Sequence, residues 1–508
     1  MEVPATQRRL IDVTAMNAPE PRWPAITTPA AHFIGNAWVA AAGGETLPMI
    51  DPSDGAPFAA IARGDAADVD AAVAAARRAA DGPWRALAPA QRGRLLYRIA
   101  MLIAEHAEAL ALVEARDCGK PLAQARADAA ACARYFEFYA GTPDKLHGAT
   151  IPYPDGYTVL TWREPHGVTG HIIPWNYPLQ IFGRSVGAAL AAGNACVVKP
   201  AEDACLSLLR LAELMRDAGL PDGALNVVTG LGAEAGGALA AHPGIQHLSF
   251  TGSPATGAAV AAAAAAHHCP VTLELGGKSP QVVFADADVE AALPALVNAI
   301  VQNAGQTCSA GSRLLVQRPL YEPLLRQLAA RFEALVAAPA LANRDLGPLI
   351  RAGQRDRVHA FLERARADGI GVAAQGRIAA DAPQNGYYVA PTLLRDVPAD
   401  HPVARDEVFG PVLAAMPFDD EAEAIALANG TDYGLVAGVW NRDGARQLRM
   451  ARALASGQVF VNNYGAGGGV ELPFGGVKHS GHGREKGFEA LYALTTLKTV
   501  VLRHAEST

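Results

Sequence analysis

The chain is short of long apolar runs, clustered basic residues, aromatics and paired cysteines, and each shortage closes off a class of protein. Its longest alanine-rich run, "GAAVAAAAAAHH" at 257–268, falls well below the ~20 apolar residues that a membrane-spanning helix needs. Aromatic residues make up 6% and the formal net charge is −7. No stripe of lysine and arginine tracks a phosphate backbone, which argues against nucleic acid as a partner. The six cysteines, Cys118, Cys132, Cys196, Cys205, Cys269 and Cys308, contain no CxxC pair. In a chain of this length they read as reduced thiols of a cytoplasmic protein, with neither a disulfide framework nor a metal site. The first thirty residues are polar and proline-containing, without the apolar core of a secretory signal.

What is present is globular. Half of the 508 residues are hydrophobic and 18% are charged, enough for two or three packed domains rather than one core. The stretch "DAADVDAAVAAARRAA" at 65–80 reads as a capped helix, and helical periodicity continues over 91–120. From residue 168 the rhythm changes. Short β-rich runs at 168–173, 194–199, 225–229 and 247–250 recur, with helical stretches at 205–219, 233–242 and 255–266. Such alternation predicts a parallel, doubly wound sheet. A further strand at 270–275 ends in "GGKSP", where a domain boundary is expected. Beyond it a helix feeds into the Cys308 loop, and a second α/β unit follows.

Cys308 sits in "QNAGQTCSAGSR", 302–313, among small and amide residues rather than apolar ones. A nucleophile there needs a base and an oxyanion donor. Without them it is an inert loop cysteine, and this stretch leaves both readings open. Glu274 closes the apolar strand of "LELGGKSP", at the end where open α/β sheets bind ligands. Partial desolvation would raise its pKa toward that of a useful base, the competing reading being a salt-bridged surface glutamate. Asn176 lies in the stiff "IIPWNYPLQ", as an oxyanion donor or a turn residue. "TGLGAEAGG" and "FTGSPATG" each follow a strand and open a helix, the arrangement that meets a pyrophosphate. Lys199 and Glu202 of "VVKPAE" come just past a strand end, where a ribose would sit. A carboxylate there accepts NAD and repels the extra phosphate of NADP.

"PWNYPL", "VVKPAEDA", "FTGS", "LELGGKSP", "GQTCSAGSR", "EVFGPV" and "PFGGVKHSGHGRE" occur in this order. On them the chain resembles the NAD(P)-dependent aldehyde dehydrogenase superfamily, of the hydrolytic, non-CoA-acylating type, from about residue 30 to the end. The resemblance implies an α/β fold with a Rossmann-like cofactor domain (31–144 and 166–276) and a catalytic domain (277–490). It adds an oligomerisation hairpin (145–165) that pairs with the tail (491–508), residues 1–30 forming an extension. A homodimer or homotetramer is expected. Cys308 matches the family nucleophile, Glu274 its general base and Asn176 its oxyanion amide. Lys199 and Glu202 match the adenine-ribose pair, Glu407 and Phe409 the nicotinamide ribose and ring, and Trp175, Gly232, Gly252 and Ser253 positions along the dinucleotide. The implied reaction is oxidation of a small-molecule aldehyde to its acid with NAD rather than NADP, through a thiohemiacetal and a thioester. A cysteine esterase and a non-catalytic protein on the same fold are the competing classes, and an NADP-using semialdehyde dehydrogenase the competing enzyme.

Two departures bear on substrate. Relatives that oxidise succinate semialdehyde carry arginine at the position of Arg184, which would pair with a substrate carboxylate, while the second arginine of that clamp falls on Gln302. A structural ion pair competes equally for Arg184. The loop "NNYGAGGGVELPFGG", 462–476, places Gly465, Gly467, Gly468 and Gly469 where relatives have bulky residues, so a wide mouth for bulky aldehydes is expected there. Tyr464 and Phe474 of the same loop are assigned to the substrate tunnel.

Overall fold

Asp65 starts the first long helix of the computed structural model, which describes residues 22–25, 27–465 and 469–504. Its carboxylate accepts from the Ala67 N–H while Asp68 reaches back to the cap, so two free N–H groups are satisfied at the start of Ala66–Asp81. The alanine face of this helix packs onto the strand Ala195–Pro200. The helical stretch 91–120 is broken rather than continuous. Pro89–Glu105 and Ala107–Cys118 meet at His106, and Gly119 in the left-handed region ends the second before Leu122–Ala140 begins.

The first sheet contains all five β-rich runs between 168 and 275. Its central order is Leu225–Val227, Ala195–Pro200, Val168–Ile173, His247–Thr251 and Val271–Glu274, all parallel. In chain order these strands run third, second, first, fourth, fifth, so the winding reverses between Val168–Ile173 and His247–Thr251. Ligands bind at such a switch point, beyond the carboxyl ends of the strands. The central strands are covered on both faces, and their near-continuous apolar runs follow from that.

A second, seven-stranded sheet runs from the edge strand Gly371–Gln375 through Thr392–Arg395, Val412–Phe418, Arg313–Gln317, Pro280–Val283 and Val436–Trp440 to Gln458–Val461. Only Gly371–Gln375 is antiparallel. Each sheet has its own core. The chain then returns to the first unit: Gly481–His482 pairs with Val271–Glu274, and Val470, Ala490, Leu491 and Leu494 join the first core. The end of the expected 277–490 segment therefore packs on the first unit. A third sheet places Tyr157–Pro165 between Ala149–Ile151 and Thr495–Arg503. Among the described residues no helix is long and apolar enough to cross a membrane.

Candidate active site

At the switch point, the loop after Ile173 and the loop after Thr251 face each other across a cleft of about 290 Å³. Trp175 and Asn176 come from the first loop, Gly252 and Ser253 from the second. Glu274, Cys308, Glu407 and Phe409 complete the walls. Ser253 caps the helix Pro254–Ala265, its Oγ accepting from the Thr256 N–H at 3.2 Å, so a positive helix end opens on the cleft. The Trp175 and Phe409 rings meet edge to face with centroids 5.4 Å apart.

Cys308 is carried by a tight loop. Asn303, Ala304 and Gly305 follow one another in the left-handed region, with φ of 49°, 53° and 75°, a run costly for the alanine. Close packing holds it there. A Cβ on Gly305 would lie 2.2 Å from the Gly410 carbonyl oxygen, and one on Gly277 2.2 Å from that of Cys308. The Asn176 amide Nδ2 donates to the Gln306 carbonyl at 3.0 Å, which leaves its second N–H available. Around the Cys308 side chain lie Leu435, Val436 and Phe474, with Phe460 and Tyr464 beside them. Burial pushes the Cys308 thiol up to about 12, with Arg184 opposing the rise.

Glu274 is 1% exposed. Burial, and then the neighbouring Glu485, raise its carboxyl well above the usual range, against the pull of Arg184. Among the described residues neither of its oxygens has a hydrogen-bond partner, and the same holds for Oδ1 of Asn176. Buried polar atoms facing a cleft in this way call for a ligand or solvent to satisfy them.

The remaining residues assigned to a dinucleotide from the sequence are placed as follows. Lys199 Nζ is 2.8 Å from Glu202 Oε2, and the Gly232 N–H approaches Glu202 Oε1 at 3.4 Å. Burial works against the Glu202 charge, but Lys199 outweighs it and holds the carboxyl below its ordinary value. Glu202 lines a second cavity of about 180 Å³, and Arg351 lines both. Glu407 turns its carboxylate onto the Gly277 N–H at 2.9 Å, and burial lifts it to about 7. Open space beside Gly232, the helix end at Ser253, the aromatic pair and the unsatisfied carboxyl of Glu274 suit an extended dinucleotide with a reactive ring at the Cys308 end.

Comparison with known proteins settles the family. The profile of the aldehyde dehydrogenase family matches residues 38–500. The chain belongs to the aldehyde dehydrogenase family. It is 44% identical over 474 residues to a hydroxyisobutyraldehyde dehydrogenase of Mycolicibacterium austroafricanum, covering 93% of this chain and 94% of that protein. A Burkholderia cenocepacia protein, solved as a candidate aldehyde dehydrogenase, superposes with a TM-score of 0.93 at 69% identity. That match covers 94% of this chain and all of the other. The NAD+ complex of an aldehyde dehydrogenase from Bacillus cereus gives 0.91 at 40% identity, over 94% and 97% of the two chains. As an aldehyde dehydrogenase the protein is an NAD(P)-dependent oxidoreductase that oxidises aldehydes.

Within this aldehyde dehydrogenase, Arg184 does not line the cleft. Its guanidinium pairs with Glu485, reaches Thr251 Oγ1 at 3.2 Å and lies 5.0 Å over the Phe474 ring. Gln302 caps the helix Val289–Val301, donating its N–H to the Asn298 carbonyl, and is absent from the cleft walls too. Phe474 and Tyr464 do reach the thiol's surroundings. Gly467 and Gly468 lie outside the described residues, as do residues 1–21 and 505–508 of the terminal segments.

Several residues of the site escaped the sequence reading. Arg351, Gln354 and Arg357 line the cleft from the start of the helix Ala352–Ala367. Gln354 Nε2 donates to the Phe409 carbonyl at 2.8 Å, and Arg357 Nη2 to that of Glu407 at 2.9 Å. These bonds pin Phe409 in a left-handed backbone with φ of 56°. The polar residues at three-residue spacing in "IRAGQRDR" were the available signal. Lys120 was missed as well, a lysine 1% exposed beneath Asn176.

Proposed function

We propose that the enzyme oxidises an aldehyde with an apolar chain to the carboxylic acid, using NAD in preference to NADP and Cys308 as the nucleophile. One observation carries this: Asn176, Glu274 and Cys308 share a single cleft with Trp175, Glu407 and Phe409. The Cys308 thiol loses its proton to solvent, and the resulting thiolate adds to the aldehyde carbon. Asn176 Nδ2 and the Cys308 N–H donate to the oxyanion, whose charge develops as the C–S bond forms. Lys199, Glu202, Gly232, Trp175, Glu407 and Phe409 would hold the dinucleotide, whose nicotinamide would supply the acceptor for the hydride lost from the adduct carbon as the adduct becomes a thioester. Glu274 then takes a proton from water as the water's oxygen attacks the thioester carbon. The thiolate leaves, and the free acid is released. Gly252 and the Ser253 helix end favour the negative pyrophosphate.

The apolar chain is inferred from the cluster of Leu435, Val436 and Phe474 against which Cys308 packs, with Phe460 and Tyr464 on the same cluster. Preference for NAD rests on the ionised Glu202, which repels a 2′-phosphate. The exposed Leu497, Val501 and Leu502 of the strand Thr495–Arg503 support assembly into a homodimer or homotetramer through the third sheet, which light scattering on the eluted protein reads directly. The decisive experiment follows NADH absorbance with NAD or NADP over aliphatic, aromatic, amino- and acid-semialdehydes, with Cys308→Ala as control. Aldehyde-dependent NADH from the wild type and none from the variant is expected. Full activity in the variant, or none in the wild type, would overturn the reading.

A further inference from the structure

Gly119 ends one helix in the left-handed region and Pro121 caps the next, so the residue between them is folded into the angle of a helix pair. That residue is Lys120. Its side chain is fully buried, and its Nζ has three acceptors: Glu114 Oε1 at 3.0 Å, Asp128 Oδ2 at 2.6 Å and the main-chain carbonyl of Asn176 at 2.9 Å. The ammonium also lies 4.6 Å from the centre of the Tyr177 ring. Burial works against this charge, but Asp128 and Glu114 outweigh it and keep the lysine protonated.

The same Asn176 carbonyl accepts from Asn303 Nδ2 at 3.0 Å, and Asn303 belongs to the left-handed loop that carries Cys308. Asn176 in turn gives its own Nδ2 to the Gln306 carbonyl at 3.0 Å. The residue is thus held at its carbonyl by the cation and the nucleophile loop together, and at its side chain by that loop again. A backbone carbonyl has two lone pairs, and both are taken.

We propose that Lys120 is a positioning residue for the reaction: by gripping the Asn176 carbonyl it fixes where the Asn176 amide points relative to Cys308. The inference rests on the oxyanion role given to Asn176 above. Glu114 and Asp128 serve to keep the ammonium charged and aimed. They are themselves anchored, Glu114 Oε2 by the Leu179 N–H at 3.1 Å and Asp128 Oδ1 by Gln180 Nε2 at 2.7 Å.

A double-mutant cycle tests it. Asn176→Ala, Lys120→Met and their combination are compared by kcat for aldehyde oxidation, KM for aldehyde, NAD affinity by tryptophan quenching, and iodoacetamide alkylation of Cys308. Because Lys120→Met strands two buried carboxylates, the cycle is repeated with Lys120→Met/Glu114→Gln/Asp128→Asn, whose amides retain the acceptors for Leu179 and Gln180. Loss of alignment should lower kcat about 10²-fold, with NAD affinity and alkylation changed by less than about threefold and little further loss once Asn176 is alanine. Equal losses in both backgrounds, or parallel falls in alkylation and NAD binding, mean that Lys120 only holds the fold and overturn the proposal. If Asn176→Ala alone leaves kcat unchanged, the oxyanion role has failed instead.

Discussion

The carbonyl oxygen of Cys308 lies 2.2 Å from the point where a Cβ on Gly277 would stand. The strand that delivers Glu274 therefore runs into a glycine pair whose second member lies against the backbone of Cys308. Alanine at 277 has to displace that carbonyl, whereas alanine at 276 meets the Glu407 carboxylate at 2.4 Å, a side chain that can swing away. Gly277→Ala should cost about 1–3 kcal/mol of stability by overpacking and lower kcat/KM more than about tenfold. Gly276→Ala should chiefly raise KM for NAD. Equal, small effects of the two in steady-state kinetics would count against this geometry.

The Cys308 thiol titrates far above neutrality in the free enzyme, because burial disfavours the thiolate more than Arg184 favours it. Only the thiolate is alkylated. With the value near 12, the thiolate fraction and hence the iodoacetamide rate should climb about tenfold per pH unit from pH 7.5 to 9.5. A thiol of ordinary pKa, about 8.5, would level off inside that window. A plateau below pH 9 would show that burial is not what controls this sulfur.

How far the sequence carried depends on what kind of signal each residue left. The parallel strands were legible because burial on both faces leaves uninterrupted β-rich runs such as 168–173 and 194–199. The family, and with it the aldehyde chemistry, followed from motifs in order. Lys120, Glu114 and Asp128 left no mark, because charges on a helical stretch read as a solvated face until the fold shows them buried together. Glu485 is invisible for another reason. It reaches Arg184 only because the chain comes back from the second unit to pair Gly481–His482 with the edge of the first sheet. Strand rhythm carries no information about so distant a return.

Glu202 decides the cofactor in this reading, so its charge can be removed and the consequence measured. Its carboxylate stays ionised beside Lys199 and would stand against a 2′-phosphate. Glu202→Gln should improve kcat/KM for NADP by roughly 10- to 100-fold, about 1.4–2.8 kcal/mol, while weakening use of NAD. The ratio of the two cofactors' kcat/KM is the measurement. An unchanged ratio would move the discrimination to another group, Asp203 being the other carboxylate on the wall of the same cavity.

Arg184 offers the sharpest separation of structural from substrate roles. Its guanidinium is buried against Glu485, whose other oxygen accepts from Ser249 Oγ at 2.6 Å. Removing the cation leaves Glu485 without its ion-pair partner, close enough to Glu274 to raise that carboxyl further. Arg184→Met should therefore destabilise the enzyme by about 3–5 kcal/mol, the usual cost of breaking a buried pair. Arg184→Met/Glu485→Gln, which neutralises both partners, should regain most of that loss in a denaturant titration. In the double variant kcat/KM for succinate semialdehyde should fall by the same factor as that for butanal, within about twofold, because neither substrate is held by the pair. A loss confined to succinate semialdehyde, of the roughly 1.5–3 kcal/mol that a charged hydrogen bond contributes, would instead place a substrate carboxylate on Arg184.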